Sequence, residues 1–143
     1  MRVDLSIAIV LLFASLSGTA ASASSVPKHS IVGTWTFTIP AINCTETYSF
    51  RADGIAPATR AEEIAESTYT ISAEPSAGGT YKLVTTIVKD NGKKDCSGGI
   101  TERGQKTTNY IRFDPSGEEL TVCQTESLEG CFGPVKRVRA KAS

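Results

Sequence analysis

The chain has 143 residues, with 15 basic and 15 acidic side chains, so it carries no net charge at pH 7. A neutral chain lacks the basic surface that meets phosphates, which argues against a nucleic-acid binder. A chain of this length suits a single domain.

The first 23 residues have the pattern of a secretory signal peptide. Arg2 supplies the positive charge, residues 7–13 form an apolar run, and Ala21-Ser22-Ala23 is a small-residue cleavage site. The apolar run is too short to span a bilayer, so no membrane span is expected. We therefore expect residues 1–23 to be a signal peptide, 24–29 a flexible N-terminal arm and 30–140 a folded domain. The protein would be periplasmic or extracellular.

Short segments of β-type sequence follow the arm. Residues 31–39 alternate between two faces with a period of two, which is typical of a half-buried strand. Residues 60–66 have helical propensity and predict either one helical turn or a charged strand edge. Further strands are predicted at 45–50, 67–72, 81–88, 107–113, 119–125 and 132–139, with turn residues between them. The pattern predicts an all-β fold, a single antiparallel β-barrel of about eight strands, with a β-sandwich as the alternative.

Four cysteines lie beyond the signal peptide, and an even number in an exported chain indicates disulfides. Four cysteines allow three pairings. Cys123 and Cys131 flank a short segment containing Glu129-Gly130, which fits a loop between adjacent strands. We therefore predict the disulfides Cys123–Cys131 and Cys44–Cys96.

The segment Gly33-Thr34-Trp35, at the start of the first strand, resembles the opening of the calycins, the lipocalins, avidins and their relatives. In that family the Trp closes one end of an eight-stranded barrel, and a basic residue of the last strand packs over it. Arg137 and Arg139 lie on the last predicted strand. The resemblance implies structural roles for Gly33, Trp35, Arg137 and Arg139 and, beyond the fold, a binding role.

A second resemblance is to the small periplasmic barrels that inhibit secreted metalloproteases. They also open with Gly-x-Trp, a cysteine follows, and a polar N-terminal arm enters the protease cleft. Residues 24–29 and Cys44 occupy the corresponding positions here. The alternative is that this segment is only the polar tail left by signal cleavage.

The sequence offers little for catalysis, and we expect no enzyme, no catalytic residues and no cofactor. The only histidine, His29, lies in the predicted arm, where a general base would lack fixed geometry. The cysteine spacings contain no Cys-x-x-Cys pair, so we expect no metal site. The carboxylates of Glu62, Glu63 and Glu66 are interpreted as a solvated face.

A non-enzymatic binding protein remains, with a small apolar ligand or a protein as its partner. The alternatives are an inhibitor or immunity protein that blocks a secreted or periplasmic hydrolase, and a structural envelope protein. Inward aromatic side chains would line a ligand cavity or simply fill the core. These candidates are Trp35, Phe37, Tyr48, Phe50, Tyr69, Tyr81 and Phe113.

Overall fold

The computed structural model describes residues 29–141 and Gly18, and within them it contains eight strands and no helix. The strands are β1 (Gly33–Ile39), β2 (Cys44–Phe50), β3 (Ile55–Arg60), β4 (Glu63–Ile71), β5 (Tyr81–Asp90), β6 (Lys106–Phe113), β7 (Glu119–Cys123) and β8 (Phe132–Arg137). Each strand pairs antiparallel with the next, and β8 pairs with β1, so the sheet closes into a barrel. The predicted eight-stranded antiparallel barrel is confirmed. The proposed signal peptide, apart from Gly18, and residues 24–28 of the proposed arm lie outside the described residues.

Strand β3 has no counterpart among the predicted strands. Its sequence contains Pro57 and three residues of alanine or arginine, which are poor indicators of a strand. Pro57 is tolerated because β2 pairs with β3 only from Ala58 onward, so no hydrogen bond from residue 57 to β2 is needed. The segment 60–66 is not helical: Arg60 ends β3, Ala61 and Glu62 form a tight turn, and residues 63–66 begin β4, so strand is the alternative that holds for most of it.

Trp35 closes one end of the barrel, which we call the closed end. Its side chain is 1% exposed, and its indole Nε1 donates a hydrogen bond to the carbonyl of Ile31 at 2.7 Å. Phe113 lies beside it, with ring centroids 6.0 Å apart. The buried apolar cluster around Trp35 includes Ile111 and Leu120.

Arg137, on the last strand, covers the outer side of Trp35. Its guanidinium carbon lies 4.2 Å from the centroid of the indole, in the range of a cation–π contact. The same guanidinium donates to the carbonyls of Ser30, Val32 and Gly117. Arg139, the other candidate, instead pairs with Glu118 at 2.9 Å.

Gly33 is required at its position for two reasons. Its φ of +136° is one that side chains with a Cβ rarely adopt, and an added Cβ would lie 2.6 Å from Nη1 of Arg137. The glycine therefore lets Arg137 approach the backbone of β1 and reach the indole two residues later.

Both predicted disulfides are present, Cys44–Cys96 and Cys123–Cys131, and no described cysteine is free. Both lie at the end of the barrel opposite Trp35, which we call the bridged end. Cys44–Cys96 ties the start of β2 to the long connection between β5 and β6. Cys123–Cys131 closes the connection between β7 and β8. The two bridges are consistent with an oxidising, exported environment.

Candidate functional site

The barrel encloses a cavity of about 150 Å³, lined by inward side chains from all eight strands. The lining changes character along the barrel axis. Near the closed end it is apolar, with Trp35, Phe50, Ile111 and Val135 among its members. Toward the bridged end it becomes polar. The polar lining residues are Tyr48, Arg60, Ser67, Thr85, Thr101, Gln105, Thr107 and Asn109.

The barrel wall is incomplete at the bridged end. Among the described residues, β7 pairs with β6 only over Tyr110–Phe113, so the first half of β6 has no partner on that side. β8 likewise pairs with β1 only at Trp35 and Thr36. Gln105 and Thr107 line the cavity and are also exposed, so the cavity reaches solvent beside this unpaired part of β6.

Phe132, the first residue of β8, lies at the same end of the barrel. It is 41% exposed, yet it lines the cavity and packs against Phe37 with ring centroids 5.1 Å apart. It follows directly after Cys131, so the Cys123–Cys131 bridge fixes the backbone that carries it. The opening is therefore bordered on one side by β6 and on the other by an aromatic residue at a bridged position.

A buried ion pair marks the polar end of the cavity. Glu46, Arg60 and Glu63 are direct cross-strand neighbours on β2, β3 and β4, so they share the inward face. Arg60 Nε lies 2.6 Å from Glu63 Oε2, and the Glu63 side chain is 0% exposed. Arg60 Nη2 donates a long hydrogen bond of 3.4 Å to Thr101 Oγ1. The interpretation of Glu63 as part of a solvated face is therefore wrong.

The Glu63 carboxylate is under-satisfied for so buried a group. Among the described residues neither of its oxygens has an aligned hydrogen bond, and Arg60 Nε also lacks one. The contact with Arg60 is thus an ion pair without a well-directed N–H. Burial by itself lowers the pKa of Arg60, but Tyr48, Glu63 and Glu46 raise it overall. The guanidinium stays charged and compensates the buried carboxylate.

Tyr48 completes this cluster and lines the cavity. Its hydroxyl donates a hydrogen bond to the carboxylate of Glu46. Burial raises the pKa of Tyr48, and the charge of Glu46 and the hydrogen bond to it raise it further. The phenol is therefore a neutral group at physiological pH, and its donor is already engaged.

The structure separates the predicted aromatic candidates into two sets. Trp35, Tyr48 and Phe50 line the cavity. Tyr81 is buried in the core, and Phe37, Tyr69 and Phe113 pack against that core outside the cavity lining. Two pairs of these rings pack edge to face: the ring centroids of Phe50 and Tyr69 lie 5.0 Å apart, and those of Tyr81 and Phe113 lie 5.7 Å apart. Rings of the second set therefore pack against rings that line the cavity.

Sequence reasoning missed the polar lining, although a signal for it was present. On β6, Ile111 and Phe113 are both inward, and counting back by two along the same strand gives Asn109 and Thr107. The same phase on β5 leads from Tyr81 through Leu83 to Thr85. Continuing the period of two beyond the apolar residues would have placed these polar side chains inside.

His29, the only histidine of the chain, lies at the closed end, where its ring contacts Phe113 at 5.7 Å. It is thus remote from the polar end of the cavity. No group of three or more His, Cys, Asp or Glu side chains within the described range is arranged to hold a metal ion. The same residues include no helix long and apolar enough to cross a membrane.

Comparisons of the chain with protein-family models, with curated proteins and with solved structures found no match.

Proposed function

We propose that the protein is an exported, non-enzymatic binding protein that holds a small ligand inside its barrel, as the resemblance to calycins implies. The observation that carries this proposal is the cavity of about 150 Å³, which runs from the apolar surroundings of Trp35 to a partly open polar end. An apolar cavity of this volume accommodates a molecule about the size of benzene. The ligand is therefore smaller than the usual cargo of a ligand pocket of 300–1,000 Å³.

The chemical groups at the site favour binding over catalysis. Glu46 is engaged by Tyr48 and Glu63 by Arg60, so neither carboxylate is presented free to a substrate. All four cysteines are bridged, and His29 is at the other end of the barrel. The inhibitor alternative would act through the arm 24–29, of which only His29 is described, or through the loops around Cys96 and Cys131. No described feature favours it over a ligand.

The single tryptophan of the chain lines the cavity and provides the test. Purified, oxidised protein is titrated with neutral ring compounds of benzene to ethylbenzene size, and the fluorescence of Trp35 and the melting temperature are recorded. Saturable quenching together with a rise in melting temperature is expected, because a ligand that binds only the native state stabilises it. Native mass spectrometry of gently extracted protein would detect a ligand that co-purifies.

A pair of neighbouring substitutions on β3 locates the binding. Ala58 lines the cavity, whereas Thr59, the next residue, is exposed on the outer face. Ala58→Leu should fill the cavity and abolish the fluorescence response, whereas Thr59→Leu should leave it unchanged. Equal responses of both variants would place binding outside the barrel and refute the proposal. An absence of response to every compound, with no co-purified ligand, would refute it as well.

The location of the protein is part of the same proposal. Export through the signal peptide would deliver it to the periplasm or the extracellular space, where both disulfides persist. The mass of the secreted protein should match a chain that begins at Ser24. A mature protein that retains residues 1–23 would contradict this part of the proposal.

A further inference from the structure

One side of the cavity carries side chains that could form hydrogen bonds but form none within the described part of the chain. Ser67 on β4, Thr85 on β5, and Thr107 and Asn109 on β6 all line the cavity, and we call them the polar wall. Thr85 and Thr107 are direct cross-strand neighbours, and Asn109 lies opposite Leu83 on the same face. None of the four side chains hydrogen-bonds to another described residue.

Ser67 is the most informative member of the polar wall. It is only 7% exposed, yet its hydroxyl has no hydrogen-bond partner among the described residues. The hydroxyl oxygen of Ser67 is not fully sealed from open space, and Ser67 lines the cavity, so the hydroxyl faces the cavity. Buried polar groups in folded proteins normally have partners, so this hydroxyl is available to a water molecule or a ligand in the cavity.

The opposite side of the cavity is aromatic. In a closed barrel of eight strands, β8, β1 and β2 lie across from β4, β5 and β6. The cavity-lining rings on those three strands are Phe132, Trp35, Tyr48 and Phe50. A ligand in the cavity therefore meets aromatic surface on one side and hydroxyl and amide groups on the other.

The charges at the site argue against a charged ligand. Among the described residues that line the cavity, Arg60 is the one with a charge, and Glu63 already compensates it at 2.6 Å. An anion placed on Arg60 would compete with Glu63 and would meet Glu46 in the same cross-strand row. A cation would lie beside the guanidinium itself. A ligand of either charge would therefore meet a like charge at the polar end, and its binding would also carry the cost of removing that charge from water.

We propose that the cavity selects an uncharged, flat ring compound with hydrogen-bonding groups on one edge, such as an aromatic or heteroaromatic amide. Its ring would lie against Trp35 and its polar edge against Ser67, Thr85 and Asn109. This inference rests on the proposed function, because it names the class of ligand for the same cavity.

Four probes of nearly equal size test the inference. Benzamide is neutral with a polar edge, benzoate is its anion analogue, benzylamine its cation analogue and ethylbenzene its apolar analogue. Each is titrated at pH 7 into the full, oxidised protein, with Trp35 fluorescence and calorimetry as readouts. Benzamide should bind about tenfold more tightly than each of the other three, as expected for one or two additional hydrogen bonds.

The ranking of the probes separates failure of this inference from failure of the proposed function. Ethylbenzene binding as tightly as benzamide would keep the cavity as a binding site and overturn the role of the polar wall. Tighter binding of benzoate or of benzylamine would overturn the preference for a neutral ligand. Binding of none of the four would overturn this inference, and if the wider set of ring compounds also gave no response, the proposed function would fail with it.

Two adjacent threonines on β5 provide the matched variants. Thr85 faces the cavity, whereas Thr86 pairs with Thr68 and Lys106 on the outer face. Thr85→Val should weaken benzamide binding about three- to tenfold and leave ethylbenzene binding unchanged, because it removes a hydroxyl without changing the shape. Thr86→Val should change neither affinity. Equal loss for both probes in Thr85→Val would indicate a packing effect and would overturn the assignment.

Discussion

Replacing Arg60 with methionine should destabilise the barrel strongly, because it leaves Glu63 without its counter-charge. The Glu63 side chain is 0% exposed, and the Arg60 guanidinium is the cation that lies against it, with Nε 2.6 Å from Oε2. Its carboxylate has no aligned hydrogen bond among the described residues that would remain after the change. Arg60→Met keeps much of the side-chain volume and removes the charge.

The expected cost follows from the burial of the two partners. Breaking a buried pair by removing one partner typically costs about 3–5 kcal/mol. Arg60 is itself 21% exposed, which places the expected loss for Arg60→Met at the lower end, about 3 kcal/mol. Replacing both partners removes the uncompensated charge, so the double variant with Glu63→Met should lose less than the sum of the single changes. The coupling free energy should reach about 2 kcal/mol.

Urea denaturation of the oxidised proteins measures these values, since urea, unlike guanidinium chloride, does not screen charge. Lys89→Met is the control, because Lys89 pairs with Glu66 at 3.0 Å on the exposed face of the sheet. An exposed pair is worth about 0–1 kcal/mol. If Arg60→Met costs no more than Lys89→Met, or if the coupling is close to zero, the ion pair is not what holds the polar end together.

Two further predictions concern the bridges and the buried phenol. Chain entropy predicts that loss of Cys44–Cys96, separated by 52 residues, costs about 4 kcal/mol, against about 2.5 kcal/mol for Cys123–Cys131, separated by 8. Urea denaturation of the two paired Cys→Ser variants tests this order of stability losses. A larger loss for the Cys123–Cys131 variant would contradict it. The raised pKa of Tyr48 means that the phenol ionises from about pH 10 in the unfolded chain and stays protonated in the folded one. Its contribution to the free energy of unfolding is therefore complete below pH 10 and is lost as the pH rises. Tyr48→Phe should therefore lose less stability between pH 8 and pH 11 than the parent does, and equal losses would show that this phenol does not govern the alkaline limit.

The sequence was sufficient for the fold where local pattern and tertiary burial agree. The alternation in residues 31–39 corresponds to β1 and the β-type residues 81–88 to β5, and the spacing of the cysteines predicted both bridges. β3 was missed because its residues have weak strand preference and its formation depends on pairing with β2 and β4. Segment 60–66 was ambiguous because its helical propensity is local, whereas the barrel pairs Arg60 with Glu63 across a turn.

The site was less predictable, because it depends on which face of each strand is inward near the bridged end. There the sequence is polar, and a polar residue by itself suggests an outward position. Between Glu66 and Ser67 the register of β4 against β5 shifts, so the pairing in this region cannot be extrapolated from either side. The burial of Glu63 likewise depends on Arg60, which the sequence places in an otherwise charged and apparently solvated stretch.

The two ends of the barrel are held by different kinds of interaction, and this difference leaves the cavity open to solvent at one end. At the closed end the wall is continuous, because β8 pairs with β1. There the Arg137 guanidinium stacks on the Trp35 ring and donates a hydrogen bond to the carbonyl of Val32. At the bridged end β7 is too short to pair with the whole of β6, and β8 pairs with β1 only at Trp35 and Thr36. A complete wall there would satisfy more backbone groups, but it would also close the cavity. The disulfides at that end restrain the loops without adding strand pairs, so the opening beside Thr107 persists in a stable fold.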